Sequence, residues 1–347
     1  MKSCYINGIG SVSIQSPTFD VFQEQPETIS TINHAQQPSY KELIAPAMSR
    51  RMAKGIKMSI YATNQALEEA KISNLDAILV GTSMGCIEDS EKFLKAVIEN
   101  EEEYLTPTAF IQSTHNTVSG QIALQWKAHS YNFTYVNGGN SFESALFDGL
   151  MRLRFHEAQN ILIGGVDEVS PYMHSIFQKV ETVKKEGDVI DFHQPSTTGI
   201  PFSEGATFFV LSTEKTATTY AEVKEVVIQN ALSTTVEEWI SCFLERNGLE
   251  QVDAVVFGVN ADSNQQPFYQ QCIAYFETTA QLYYQHITGS YDTVSAYGLK
   301  LAAEIIQKQE IPNVLKYNSI ETNTINTVLL IHQSLGTDFS LTLLQKC

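Results

Sequence analysis

Two short segments of this chain carry residue types that could do covalent chemistry. Gly81-Thr82-Ser83-Met84-Gly85 has the form G-x-S-x-G, follows an apolar run and precedes an amphipathic stretch over residues 88–97. At a strand-to-helix turn this pattern can present a serine for acyl transfer, as in the nucleophile elbow of serine hydrolases. Such a serine needs an acid and then a histidine downstream to activate it. His286 and His332 are available, and nothing in the sequence chooses between them. The simpler reading is a glycine-rich crossover turn where a helix packs close to a sheet. The second segment is Tyr135-Val136-Asn137-Gly138-Gly139-Asn140-Ser141-Phe142-Glu143. Asn140 with Glu143 three residues later predicts a capping box at a helix start. Gly138 and Gly139 permit a tight turn, and a helix N-terminus beneath one suits an anion or a reactive thiolate. Position 139 has neither thiol nor hydroxyl, so the segment has the shape of a nucleophile turn without a nucleophile. On the residues alone, a plain tight turn is the better reading.

The other candidates are weaker. The eight histidines (34, 115, 129, 156, 174, 193, 286 and 332) form no ligand spacing with one another or with Cys and acids, so no metal is expected. Gly8-Ile9-Gly10 is only a fragment of a dinucleotide fingerprint and no P-loop occurs, so no cofactor is expected either. Arg50, Arg51, Lys54 and Lys57 form a basic cluster that could receive a phosphate or begin a helix with structural ion pairs. The five cysteines are scattered and contain no C-x-x-C pair, which argues for a reducing cytoplasm.

These segments need a frame to position them. Apolar, β-branched runs over 4–9, 77–81, 133–137, 161–165, 207–211, 254–260 and 327–331 read as buried strands. Helical patterns lie over 57–70, 119–126, 142–153 and 293–307. The alternation predicts βαβ units, and consecutive strands over 206–212 and 223–229 predict that part of the sheet is antiparallel. Each half carries a strand, a small-residue turn, a small-residue helix and another strand, so the halves echo each other. Residues 16–45 read as a loop excursion and 99–103, with four acids in five residues, as a solvated turn.

Composition narrows the function classes. With 347 residues, 43% of them hydrophobic, the chain can bury a large α/β core. A net charge of −17 argues against nucleic acid or an anionic membrane as partner. It also disfavours direct docking of a strongly acidic carrier protein without a local basic patch. No window approaches the ~18 consecutive apolar residues of a membrane span, and no signal-peptide core is present.

Taken in order, several segments resemble a β-ketoacyl synthase of the thiolase superfamily. Tyr5-Ile6-Asn7-Gly8-Ile9-Gly10-Ser11-Val12-Ser13 is similar to the family's V-x-I-T-G-x-G-x-V-S start. Ser49-Arg50-Arg51-Met52 resembles its R-R-M-D-x-F segment, and Leu79 to Gly85 its strand and glycine turn. Ile163-Gly164-Gly165-Val166-Asp167-Glu168 resembles A-G-G-A-E, and Pro201-Phe202-Ser203-Glu204-Gly205-Ala206 resembles the M-G-E-G-A turn. The resemblance implies a thiolase-like, five-layered αβαβα fold of two pseudo-symmetric halves with mixed sheets, divided as residues 1–212 and 213–347. It also implies a dimer and a Cys-His-His site.

The departures fall on that site. The T-A-C-S turn corresponds to Asn137-Gly138-Gly139-Asn140, which puts Gly139 at the nucleophile. A-H-G-T corresponds to Ala261-Asp262-Ser263, which puts Asp262 at the first histidine. K-x-x-x-G-H corresponds to Gln285 through Ser290, which puts Ser290 at the second histidine and Gln285 at the lysine. The gating loop F-G-F-G-G is shortened to Ser334-Leu335-Gly336. Glycine cannot carry an acyl group, and an anionic Asp262 would repel an enolate. The resemblance thus implies a non-catalytic, chain-length-factor-like subunit that pairs with an active ketosynthase, with an acyl carrier protein reached through that partner. Phe110 to Gln121 resembles the subgroup of aryl polyene synthesis, with fatty-acid-like elongation the related chemistry. The expected binding residues are Phe110, His115, Asn116, Gly138 and Phe142. A serine hydrolase using Ser83 and a homodimeric acyl or carrier binder are the alternatives.

Overall fold

Two neighbouring strands of the first sheet are apolar along most of their length. They are β2 (Ala77–Gly81) and β4 (Asn160–Asp167), and nearly every residue of both is buried. Continuous apolar runs of this kind belong to parallel strands covered on both faces, and β2 pairs parallel with β4 from Ala77–Ile161 to Gly81–Gly165. The computed structural model describes residues 2–347. The remaining strands are β1 (Tyr5–Val12), β3 (Tyr131–Tyr135), β5 (Gly205–Ser212), β6 (Glu222–Gln229), β7 (Ala254–Phe257), β8 (Ala280–Tyr283), β9 (Thr327–Ser334) and β10 (Asp338–Gln345). The helices are α1 (Pro46–Ser49), α2 (Lys54–Ala70), α3 (Ile87–Glu99), α4 (Pro107–Ser113), α5 (Thr117–Trp126), α6 (Ser141–Arg154), α7 (Pro171–Lys179), α8 (Val236–Arg246), α9 (Gln266–Tyr275), α10 (Gln285–Thr288) and α11 (Ser295–Lys308).

The strands run in the order β3-β2-β4-β5-β1-β6-β10-β9-β7-β8. This is one topology used twice. Read outward from the middle, β1-β5-β4-β2-β3 is matched strand for strand by β6-β10-β9-β7-β8. In each, the second strand is antiparallel to both neighbours and the last three are parallel. The two sheets join where β1 meets β6, at the Tyr5–Glu222 pair, with the Ile6 amide donating to Ala221 O at 3.0 Å and the Val223 amide donating to Cys4 O at 2.8 Å. Three apolar clusters fill the layers. One lies between α2, α5 and the first sheet, with Ile56, Ile60, Leu67 and Ile122. The central one holds α6 and α11 between the sheets, with Leu146, Leu150, Leu301 and Ile305. The third packs α8 and α9 on the second sheet, with Trp239, Phe243 and Tyr269. The result is the αβαβα sandwich.

Several sequence expectations shift in register or fail. The strand expected at 133–137 runs from Tyr131 to Tyr135 and leaves Asn137 in the turn. The run 207–211 and the strand after it are consecutive in the chain but do not pair with each other; β5 lies between β1 and β4. The strand β10 and the helices α8 and α9 carry no signal picked out above. No capping box forms at Asn140, whose side chain makes no cap bond. Instead the Ser141 hydroxyl donates to Gly138 O at 2.7 Å and accepts from the Asn137 amide at 2.9 Å. A capping box does occur at Thr235 and Glu238, which open α8. Gly8 and Gly10 serve packing rather than phosphate binding. A Cβ on them would sit 2.1 Å from Ala66 O and 1.9 Å from Ala62 O, so α2 lies directly on β1. In the basic cluster, Lys54 pairs with Glu88 and Glu204, each at 2.6 Å, as a structural ion pair.

Candidate functional site

The turn that should hold a nucleophile leads from β3 into α6 through a single 3-10 turn, Gly138–Asn140. Gly138 has φ +52°, which glycine tolerates without strain. The buried Gly139 amide donates to Asp338 Oδ2 at 2.8 Å, and the other carboxylate oxygen accepts from Asn230 Nδ2 at 2.9 Å. A carboxylate therefore stands where a helix start favours negative charge, and it comes from the hairpin turn between β9 and β10. That turn sits tightly on the glycines. A Cβ on Gly139 would lie 2.3 Å from Ser334 Cβ, and one on Gly138 would lie 2.7 Å from Asp338 Oδ2. The space a cysteine side chain needs is filled by the protein itself.

Asp262 is tied into its own loop. It accepts from the Asn264 amide at 2.9 Å and from Gln265 Nε2 at 3.0 Å, and its amide donates to Asn260 Oδ1 at 3.2 Å. Lys184, fully buried nearby, donates to Thr197 O and Oγ1 at 2.9 and 2.6 Å. Burial pushes its ammonium below the usual lysine range, with Asp262 acting in the opposite sense. Ser290 donates to Gln285 Oε1, and Gln285 Nε2 donates to Gly258 O at 3.1 Å. These groups fasten α10 to the end of β7. A cavity of about 130 Å³ lies beside them, lined among others by Asn260, Gln285, Ser290, Asp292 and His332. Of Gly139, Asp262 and Ser290, only Ser290 lines it.

Sequence reasoning missed three buried acids and Asp338. Asp167 accepts from the amides of Ser83 and Thr293 at 2.8 and 3.0 Å and from the hydroxyls of Thr82 and Thr293 at 3.1 and 2.9 Å. It thus ties the G-x-S-x-G turn to the start of α11. Burial, with Asp292 adding, holds its carboxyl above the ordinary range. Burial likewise pushes Glu143 and Glu168 up to about 7. Glu168 accepts from the Gly55 amide, and Glu143 accepts from Ser340 Oγ at 3.1 Å. Two acids closing the apolar strand Ile161–Val166 were a readable sign; Asp338 had none.

Ser83 has no histidine partner among the described hydrogen bonds. His332 meets Tyr284 Oη at 3.3 Å through Nδ1, while His286 stacks on Tyr283 at 4.0 Å. Burial pushes both imidazoles down to about 4. The ring closest to this turn belongs to His115, whose Cδ2 would lie 3.3 Å from a Cβ on Gly85. The hydrogen bonds described thus give the serine-hydrolase alternative no support.

The expected binding residues separate. Phe110 on α4 is 54% exposed and packs on Phe93 at 5.3 Å. Asn116 opens α5 at the surface and His115 is half-buried beside it. Gly138 lies under Asp338 as described. Phe142 is 1% exposed, against Phe209 at 5.8 Å in the central core, because the first turn of α6 points it inward. Beside this group, β3 forms the end of the first sheet, with Tyr131 and Phe133 stacked at 6.2 Å and partly exposed. The helix α3 buries no residue, and it leaves Leu94 and Ile98 on the surface.

Comparisons place this architecture. The family model described as the N-terminal domain of β-ketoacyl synthase matches residues 22–254, more than half of the chain. No curated protein matches. Among solved structures, the ishigamide ketosynthase/chain length factor superposes with a TM-score of 0.81 at 15% identity, covering 100% of this chain and 99% of that one. A β-ketoacyl synthase from Burkholderia phymatum STM815 gives 0.82 at 14% identity, with 100% of both chains covered. The ketosynthase ApeO in complex with its chain length factor ApeC from Xenorhabdus doucetiae gives 0.78 at 14% identity, covering 100% and 98%. The αβαβα sandwich is thus thiolase-like, and the chain belongs to the β-ketoacyl synthase family.

Proposed function

We propose that this chain is a non-catalytic, chain-length-factor-like subunit that pairs with an active β-ketoacyl synthase during polyketide-type elongation, in the aryl polyene branch. The observation that carries the reading is the occupied nucleophile turn. Asp338 and Ser334 take the space and the amide that an acylated cysteine would use. The rest of the catalytic set is exchanged too, with Asp262 holding a loop and Ser290 bonded to Gln285. Conversely, the surface next to the turn is built for a partner. The strand β3 has an open edge with exposed aromatic rings, and α3 and α4 expose Leu94, Ile98, Phe110 and Ile111. Exposed apolar groups at an unpaired edge mark a site of association. Phe110, His115 and Asn116 then approach the partner and help shape the pocket that measures the chain. Residues 1–212 and 213–347 serve as the two halves, and the acidic surface leaves carrier docking to the partner. The five free thiols suit a cytoplasmic setting.

An elongation assay with malonyl thioester tests the proposal. The chain alone yields no carbon–carbon bond. Co-expressed with its cognate ketosynthase it co-purifies, and product length changes when Phe110 is exchanged for Ala. Condensation by the isolated chain, or purification only as a self-pair with no effect on product, overturns it.

A further inference from the structure

The helix α3 ends in charges that its own fold does not neutralise. Along its whole length it buries no residue. Its cations are spent inside the helix: Lys92 lies 3.8 and 3.6 Å from Glu88 and Asp89, and Lys95 lies 3.7 Å from Glu99. Glu101, Glu102 and Glu103 follow directly, all exposed, and none forms an ion pair among the described residues. A helix C-terminus carries partial negative charge and favours cations, so three acids there are set against it. The backbone is costly as well. The Glu102 amide donates to Val97 O at 2.9 Å and the Glu101 amide to Ile98 O at 3.4 Å, which closes the helix as a Schellman turn. Such a turn normally takes glycine at its left-handed position, yet Glu101 has φ +50°, Glu102 +67° and Tyr104 +52°.

Apolar side chains are exposed along the same stretch. Leu94 and Ile98, four apart and so on one face of the helix, are 59% and 78% exposed, and Tyr104 is 91% exposed. Exposed apolar groups of this kind mark a place of association, and the charge beside them selects the associate. Nucleic acid, an anionic membrane and an acidic carrier protein are all repelled. A second copy brings the same excess of acids, with a net charge of −17. No group of His, Cys, Asp or Glu among the described residues is arranged to hold a metal ion. What remains is a protein surface rich in Lys and Arg with apolar groups between them. Against such a surface, charges that are unfavourable in the free chain gain partners.

We propose that the end of α3 and the turn after it, residues 94–104, dock on a basic surface of the partner ketosynthase, with Glu101, Glu102 and Glu103 facing its cations and Ile98 and Tyr104 covered by its apolar groups. This rests on the pairing reading above and adds to it the charge of the partner's face. Association kinetics of the full chain with its cognate ketosynthase, at about 50 and about 500 mM NaCl, form the test. For the parent chain the association rate falls at least tenfold between the two salts. The combined Glu101→Gln, Glu102→Gln and Glu103→Gln variant associates at least fivefold more slowly at low salt and loses most of the salt dependence, while melting no lower than the parent. Ile98→Ser instead speeds dissociation at least threefold and keeps the salt response. A complex that forms with the parent's rate and salt response in the triple variant overturns this inference and leaves the pairing intact. A lower melt for the triple variant, which assigns the acids to the fold, also overturns it. No complex with the parent chain overturns the pairing and this inference together.

Discussion

Gly139 shows how far a single exchange reaches. Its missing side chain is not a vacancy, because Ser334 and Asp338 occupy the space. Gly139→Cys therefore cannot restore a nucleophile. The new side chain overpacks the hairpin, at a cost of about 1–3 kcal/mol, and the thiol stays unreactive toward iodoacetamide. A lower melting temperature together with no alkylation at position 139 in peptide mapping, while the exposed Cys242 and Cys347 react, is the expected result. Glu143 supports a pH test. Its carboxyl is raised from 4.5 to about 7 by burial. Its contribution to stability is thus fully present below pH 4.5 and is lost as pH rises through about 7. Glu143→Gln removes that loss, so relative to the parent the variant gains about 2 kcal/mol between pH 5 and pH 8. Paired thermal melts at the two pH values check this. The turns that hold Gly139, Asp262 and Ser290 could be read from the sequence, because local motifs frame each of them. Asp338 could not, since it lies 199 residues from its partner Gly139 and no local pattern links them.

Elements with regular apolar periodicity were legible, and those that depend on a distant partner were not. The helices α2, α6 and α11 announced themselves through spacing. The strand β10 did not, although it lies inside the second sheet between β6 and β9. The two outer edges of the structure are treated differently. At one end β8 is covered by residues near 316, where Tyr317 donates its amide to Gln281 O at 2.7 Å. At the other end β3 carries Tyr131, Phe133 and Tyr135 along one face, with Arg152 over the Tyr131 ring at 3.4 Å. Placing a charge there opposes edge pairing. Phe133→Lys is expected to weaken association at least tenfold in sedimentation velocity. Its thermal melt as a monomer should move little, since Phe133 is 46% exposed.

At the scale of the whole molecule, the order of motifs along the chain disclosed the architecture better than any one of them. The sheet order confirms it by repeating one topology twice. The central layer draws one helix from each half, α6 and α11, so each half completes the other's core. That arrangement also governs how the polypeptide can be assembled. The strand β10 runs between β6 and β9 and ends at Gln345. While the protein is being synthesised, β6 and β9 each lack this shared neighbour until β10 itself has been made. A nascent chain that stops short of β10 therefore carries two open strand edges, and open edges invite association with other chains.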